Sequence, residues 1–139
     1  MSISVYEAVG GRPTFELISK VFYQGIASDE VLLPMYAGRR VAPGDVSEAE
    51  LAPAAERLQL FLEQYWGGPN DYELLRGHPR LRMRHMPYAI NRDARERWLR
   101  HMRAALDAAV AAELVAPLYE AELWNYLERA ATSLMNTNG

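Results

Sequence analysis

The chain has 139 residues, of which 50% are hydrophobic and 24% charged, enough apolar side chains for one packed domain over 1–139 and too few residues for two. That balance excludes a disordered tail or a collagen-like fibre, and no stretch approaches the roughly 18 apolar residues of a membrane-spanning helix. With no cysteine there can be no disulfide, thiolate nucleophile or cysteine metal site. The opening MSISVYEAVGG lacks the basic and apolar regions of a secretory leader, so a cytoplasmic location is expected.

Charge is unevenly spread. Lys20 is the only lysine, and nine of the arginines lie between Arg76 and Arg103, where the acids are Asp93 and Glu96 alone. Nine arginines against two acids make that segment +7, leaving −10 for the rest of a chain whose net charge is −3. Arginine is suited to bidentate contact with carboxylate or phosphate. The segment therefore reads either as a site for an anionic ligand or partner or as a solvated helix face.

In chain order, Phe15, Ile18, Phe22 and Ile26 fall three and four apart and predict a helix over Thr14 to Ile26, with Pro13 at a tolerated start position. SDEVLLPMY follows, closed by Pro34, and AGRRVAPGDVS reads as a loop. Ala54, Leu58, Phe61, Leu62 and Tyr65 form the stripe of a helix from Pro53 to Tyr65, which WGGPN stops. Between Asp71 and Tyr88 the alternation in RLRMRHMPY permits a short strand, but no second strand is available to pair with it. A short helix ended before Pro87 is expected. Asn91 caps a long helix, to Glu113, with Ala94, Trp98, Met102, Ala105, Leu106 and Ala109 on its inner side. Pro117 opens the last helix, to Met135, which buries Leu123, Leu127, Ala130 and Leu134, and SLMNTNG is expected to fray. The fold class is all-α.

Motifs for nucleotide binding, serine hydrolysis or zinc proteolysis are missing. The carboxylates are spaced as on solvated helix faces. His78 precedes Pro79 in a turn, and His101 lies beside Arg100 and Arg103 near the edge of the long helix. His85 stands one turn after Leu81, flanked by Arg82 and Arg84; it reads as a surface or core histidine or as a ligand. One histidine cannot close a zinc site, but it can be the sole protein ligand of a haem iron, whose porphyrin supplies four nitrogens. Haem also needs an apolar slot and cations for its propionates, which the Phe61 stripe and the nearby arginines would supply. The reading from another class is a small helical module that binds nucleic acid or an acidic partner through Arg76–Arg103. Against it stand the pI of about 5.6 and the lack of a helix–turn–helix signature.

The runs FLEQYWGGP (Phe61 to Pro69) and RGHPRLRMRHMPY (Arg76 to Tyr88), with YEAVGG near the start, TFELISKVFYQ, Trp98 and LWNYLERAATSLMN at the end, carry a resemblance. Together they resemble the group II truncated haemoglobins of actinobacteria over nearly the whole chain, apart from the Ala37 to Glu50 loop and the Ala108 to Pro117 region. The resemblance implies a two-over-two helical sandwich enclosing one haem b per chain, with the four main helices as its two pairs.

It further implies that His85 is the iron ligand and that Tyr23, Tyr36 and Trp98 surround the bound gas, with the small Ala54 opening a short path to it. Leu58 and Phe61 would exclude water, Leu81, Met83 and Tyr88 would contact the haem, and Arg57 and Arg84 would hold the propionates. Polar donors beside the gas imply oxygen binding with slow release, and hence O2/NO redox chemistry or sensing rather than transport. Nitric oxide dioxygenase and peroxidase activities are the enzymatic expectations. Oxygen, nitric oxide, carbon monoxide and peroxide are the small partners; a separate reductase is expected, and a homodimer is allowed.

Overall fold

The computed structural model describes residues 3–77 and 80–137, with the side chain of Arg82 outside that description. The described residues form helices α1 (Val5–Ala8), α2 (Arg12–Ala27), α3 (Leu32–Ala37), α4 (Glu48–Tyr65), α5 (Asp71–Arg76), α6 (Leu81–His85), α7 (Arg92–Ala111) and α8 (Pro117–Ser133). There is no strand among them, and the segment before Pro87 is the expected short helix. The turn expected at His78 and Pro79 lies outside the described residues.

The core is built from the apolar stripes. Phe15, Ile18, Phe22 and Ile26 of α2 are buried, and they meet Ala94, Met102, Ala105, Leu106 and Ala109 of α7. Helix α2 packs against both α4 and α7, and α7 packs against α8. One helix pair thus lies on another, the expected two-over-two arrangement. Leu123 and Leu127 of α8 are buried as expected; Ala131 completes that face, while Ala130 and Leu134 are half-buried.

Several boundaries differ from expectation for physical reasons. Helix α4 starts at Glu48 rather than Pro53, because the Ser47 hydroxyl accepts the Glu50 N–H at 3.2 Å and satisfies an otherwise orphaned donor. Pro53 lies inside the helix. Pro34 does not close the segment before it. It occupies the first turn of α3, where an N–H has no helical partner to lose, and the helix ends at Gly38 in the left-handed region (φ 71).

Two carboxylates expected on solvated faces are instead internal. Glu63 is fully buried and accepts from Arg12 at 3.0 Å and Gln59 at 2.9 Å. Asp29 is 5% exposed. Tyr65, expected in the α4 stripe, is 48% exposed and stacks on Tyr126, ring centroids 3.8 Å apart.

The tail beyond α8 does not simply fray. The Asn136 side chain accepts the Ile90 N–H at 2.8 Å and donates to the Tyr88 carbonyl at 2.8 Å and the His85 carbonyl at 3.3 Å. Its own N–H donates to the Ile90 carbonyl at 3.0 Å. The end of the chain thereby fastens the loop between α6 and α7.

Candidate functional site

A cavity of about 510 Å3 opens among helices α2 to α8, within the size range of small-molecule and cofactor sites. Leu32, Leu58, Phe61, Ile90, Leu127 and Leu134 give it apolar walls. Ala54 of α4 lies on the wall as a small side chain, and Leu81 and Tyr88 join it from either side of His85. Met83 does not: it is 61% exposed and off the wall. On a one-turn helix whose half-buried residues, among those described, are Leu81, Arg84 and His85, position 83 falls on the outer face.

Among the described residues, His85 is the one histidine of the cavity wall. Its Nδ1–H donates to the Leu81 carbonyl at 2.6 Å, one turn back along α6. That bond fixes both the ring orientation and the tautomer, leaving Nε2 as the nitrogen with a lone pair to give. No group of three or more His, Cys, Asp or Glu side chains that could hold a bare metal ion occurs among the described residues.

Tyr36 from α3, Tyr23 from α2 and Trp98 from α7 reach the same cavity. The Trp98 indole N–H donates to the Tyr36 hydroxyl at 3.0 Å. The Tyr23 and Tyr36 rings meet edge-on at 5.4 Å, and Phe22 supports both together with Trp98. Burial pushes the Tyr36 hydroxyl well above the ordinary tyrosine value, against a smaller opposing effect of the Trp98 bond. Burial, followed by the neighbouring Tyr36, raises Tyr23 likewise, with Arg57 opposing. Both phenols keep their protons at neutral pH and can donate them in hydrogen bonds. The indole N–H is bound to Tyr36, so the indole and the phenol stand in series.

Arg57 and Arg84 line the cavity as expected, and so do Arg76 and Arg95, which sequence reasoning did not single out. Arg84 donates to the Tyr72 hydroxyl at 3.1 Å, and Tyr72 packs edge-on against Phe61 at 5.6 Å. Tyr72, buried and also on the wall, was missed because a lone tyrosine in DYELLR carries no periodic signal. Tyr126 was missed as well; burial, then its neighbour Tyr65, pushes its hydroxyl up to about 12. His101 is not an edge residue: its Nε2 lies 2.6 Å from Asp29.

Three arginines of the basic segment are ion-paired, while Arg76, Arg92 and Arg100 are exposed. Arg97 is shared by Asp93 and Asp29, Arg103 by Asp107 and Glu120, and Arg95 meets Glu96. The partners of this segment therefore include acids from outside it, and the nucleic-acid reading finds no support in this pairing.

One imidazole nitrogen with a free lone pair, apolar walls and partly exposed arginines on the same cavity fit a haem, whose macrocycle supplies the remaining iron ligands. The comparisons point the same way. Residues 4–133 match the bacterial-like globin family. The structure is similar to that of a thermostable haemoglobin from the actinobacterium Thermobifida fusca, at 48% identity and a TM-score of 0.84 over 99% of this chain and 100% of that one. A truncated oxygen-avid haemoglobin from Bacillus subtilis matches with a TM-score of 0.78 at 30% identity, over 96% of this chain and 100% of that one. A group 2 truncated haemoglobin of Bacillus subtilis is 36% identical over 102 residues, 73% of this chain and 68% of that protein. The matches to plant relatives span just over half of those proteins' lengths.

The chain belongs to the bacterial-like globin family. Membership implies a haem cofactor and the binding of diatomic gases such as oxygen. Among the described residues no helix is long and apolar enough to cross a membrane.

Proposed function

We propose that the protein holds one haem b per chain through His85 Nε2 and binds oxygen beside Tyr36, Trp98 and Tyr23, releasing it slowly enough to serve O2/NO redox chemistry or sensing rather than transport. The observation that carries this reading is the pairing, on one cavity wall, of a tautomer-locked His85 with the Trp98–Tyr36 hydrogen bond.

Haem, when bound, supplies the iron that takes the gas. The Leu81 carbonyl keeps the proton on His85 Nδ1, so Nε2 remains a ligand rather than a donor. Trp98 fixes the Tyr36 oxygen as its acceptor, which leaves the phenol proton to be given to the gas. A hydrogen bond to a partly charged acceptor is worth about 1.5–3 kcal/mol, and at ~1.4 kcal/mol per decade it slows release by on the order of tenfold to a hundredfold. Leu58 and Phe61 keep bulk water out, which strengthens that bond. Arg57, Arg84, Arg76 and Arg95 are the candidate partners of the propionates. A carrier must let go of its cargo, so slow release favours turnover or sensing, with reduction by a separate protein.

The test is the absorption spectrum of the protein with added haem, taken ferric, after dithionite and after oxygen, for the wild type and His85→Ala. Three distinct Soret positions in the wild type, and loss of the histidine-ligated ferrous form in the variant, are expected. No haem uptake by the wild type would overturn the reading, and an unaltered variant spectrum would place the ligand elsewhere. The oxygen-avid behaviour named for the Bacillus subtilis haemoglobin of similar structure supports slow release here.

A further inference from the structure

We propose that Asp29 is a positioning residue for the gas site, holding the Trp98–Tyr36 hydrogen bond in place by tying together the two helices that carry it. The inference rests on the functional reading above for its consequence, although the contact itself is a matter of this chain's own side chains.

Asp29 touches neither tyrosine nor indole. It follows the end of α2, and its carboxylate Oδ1 accepts the Val31 and Leu32 N–H groups at 2.9 and 3.0 Å. The Leu33 N–H donates to its carbonyl at 2.9 Å. These bonds set the start of α3, on which Tyr36 sits one turn further along. The same carboxylate is bound from α7 by Arg97 at 3.1 Å on Oδ1 and by His101 at 2.6 Å on Oδ2. Arg97 and His101 bracket Trp98 in sequence, one before it and three after. A single side chain, 3% exposed, is therefore the common partner of the segment that delivers the phenol and of the helix turn that delivers the indole.

Two further observations indicate that this junction is built for close fit. A Cβ on Gly25 would collide with His101 Nδ1, so the imidazole is seated directly on the backbone of α2. The Phe22 ring, one turn earlier, contacts His101 edge-on at 6.4 Å and Trp98 and Tyr36 at 5.6 and 6.1 Å. A shift of the Asp29 junction therefore reaches the indole and the phenol through a shared ring as well as through both backbones. An exposed ion pair would not act in this way, because it is screened and its partners move freely; a buried carboxylate stripped of its donors cannot relax into water.

The experiment follows the indole N–H signals of Trp66, Trp98 and Trp124 by NMR in the haem-loaded protein saturated with carbon monoxide, assigned with Trp98→Phe, for the wild type, Asp29→Ala and His101→Phe. In both test variants the Trp98 signal is expected to move toward the position of a weaker hydrogen bond, and its solvent exchange to speed about tenfold or more. Trp66 and Trp124 should stay where they are. A Trp98 signal that is unmoved, or that moves no more than the other two, overturns the proposal, since general destabilisation would affect all three. Should Asp29→Ala fail to fold, His101→Phe decides alone by the same criterion. Oxygen release is measured alongside. If Tyr36→Phe leaves that rate unchanged, the functional reading falls, while the indole signals still judge the role of Asp29 independently.

Discussion

Trp98 and Tyr36 make one hydrogen bond with each other, and its direction decides what each can do. The indole has a single N–H and no acceptor, so while that proton is on the Tyr36 oxygen it cannot also be offered to a ligand. The phenol can still donate. Replacing either residue should speed oxygen release, Tyr36→Phe by removing the donor and Trp98→Phe, by about tenfold, by releasing the donor from its orientation. Because the two act in series, the double variant is expected to be scarcely faster than Tyr36→Phe alone. Stopped-flow displacement of oxygen by carbon monoxide measures this, and strictly additive effects would mean that each group reaches the gas on its own. The aromatics and His85 were placed on this site through the family resemblance, and all of them line the same cavity. Asp29 and Glu63 were not legible in the sequence, since a carboxylate shows its burial only through partners far away in the chain, such as His101 for Asp29 and Arg12 for Glu63.

At the level of helices, the apolar stripes of α2, α7 and α8 were readable because burial there follows helical periodicity. The missed boundaries had local signals that proline obscured. Ser47 and Glu50 form an S-x-x-E start signature ahead of Pro53, and Ser4 caps the short α1 over Glu7 in the same way. The structured tail left no such trace, because the work of Asn136 depends on α8 bringing it beside Tyr88 and Ile90. That contact makes a test of its own. Asn136→Ala removes three side-chain hydrogen bonds, one to the His85 carbonyl and two to the loop after it, each worth about 1 kcal/mol. The variant is expected to lose haem several times faster to an excess of a haem-binding acceptor protein, with the overall helix content unchanged. An unaltered rate of haem loss would mean that α6 holds His85 without help from the tail.

At the scale of the whole molecule, part of the charge is arranged as ion pairs that join distant segments. The arginine-rich segment meets acids of the acidic remainder, as at Asp29, Asp107 and Glu120, and Arg12 joins α2 to α4 and α5 through Glu63 and Asp71. Such pairs make stability depend on pH. Burial by itself would raise the Asp29 carboxyl, but the His101 bond, the Leu32 and Val31 N–H groups and the Arg97 charge together hold it below the ordinary carboxylate value. A carboxylate lowered on folding contributes stability that is complete above its unfolded value near ~3.9 and is lost as pH falls through its folded value. Asp29→Asn is therefore expected to be less stable than the wild type at pH 7, with the gap closing as the pH falls below the unfolded value near ~3.9. Urea unfolding at a series of pH values reads this directly, and a gap that stays constant would remove Asp29 from the acid response.

Helix α6 has five residues, follows the left-handed Arg80 (φ 47) and leaves Met83 and Met86 largely in water. The interlocked packing of α2 with α4 and α7, and of α7 with α8, does not depend on it. This bears on biogenesis: if the scaffold forms before the cofactor is taken up, the segment around His85 is the part left to settle last. In the haem-free protein, amides of the four long helices are expected to resist hydrogen exchange while those of 81–88 exchange freely, and haem should then protect the latter. Equal protection of α6 before and after loading would show instead that the receptacle is finished before its contents arrive.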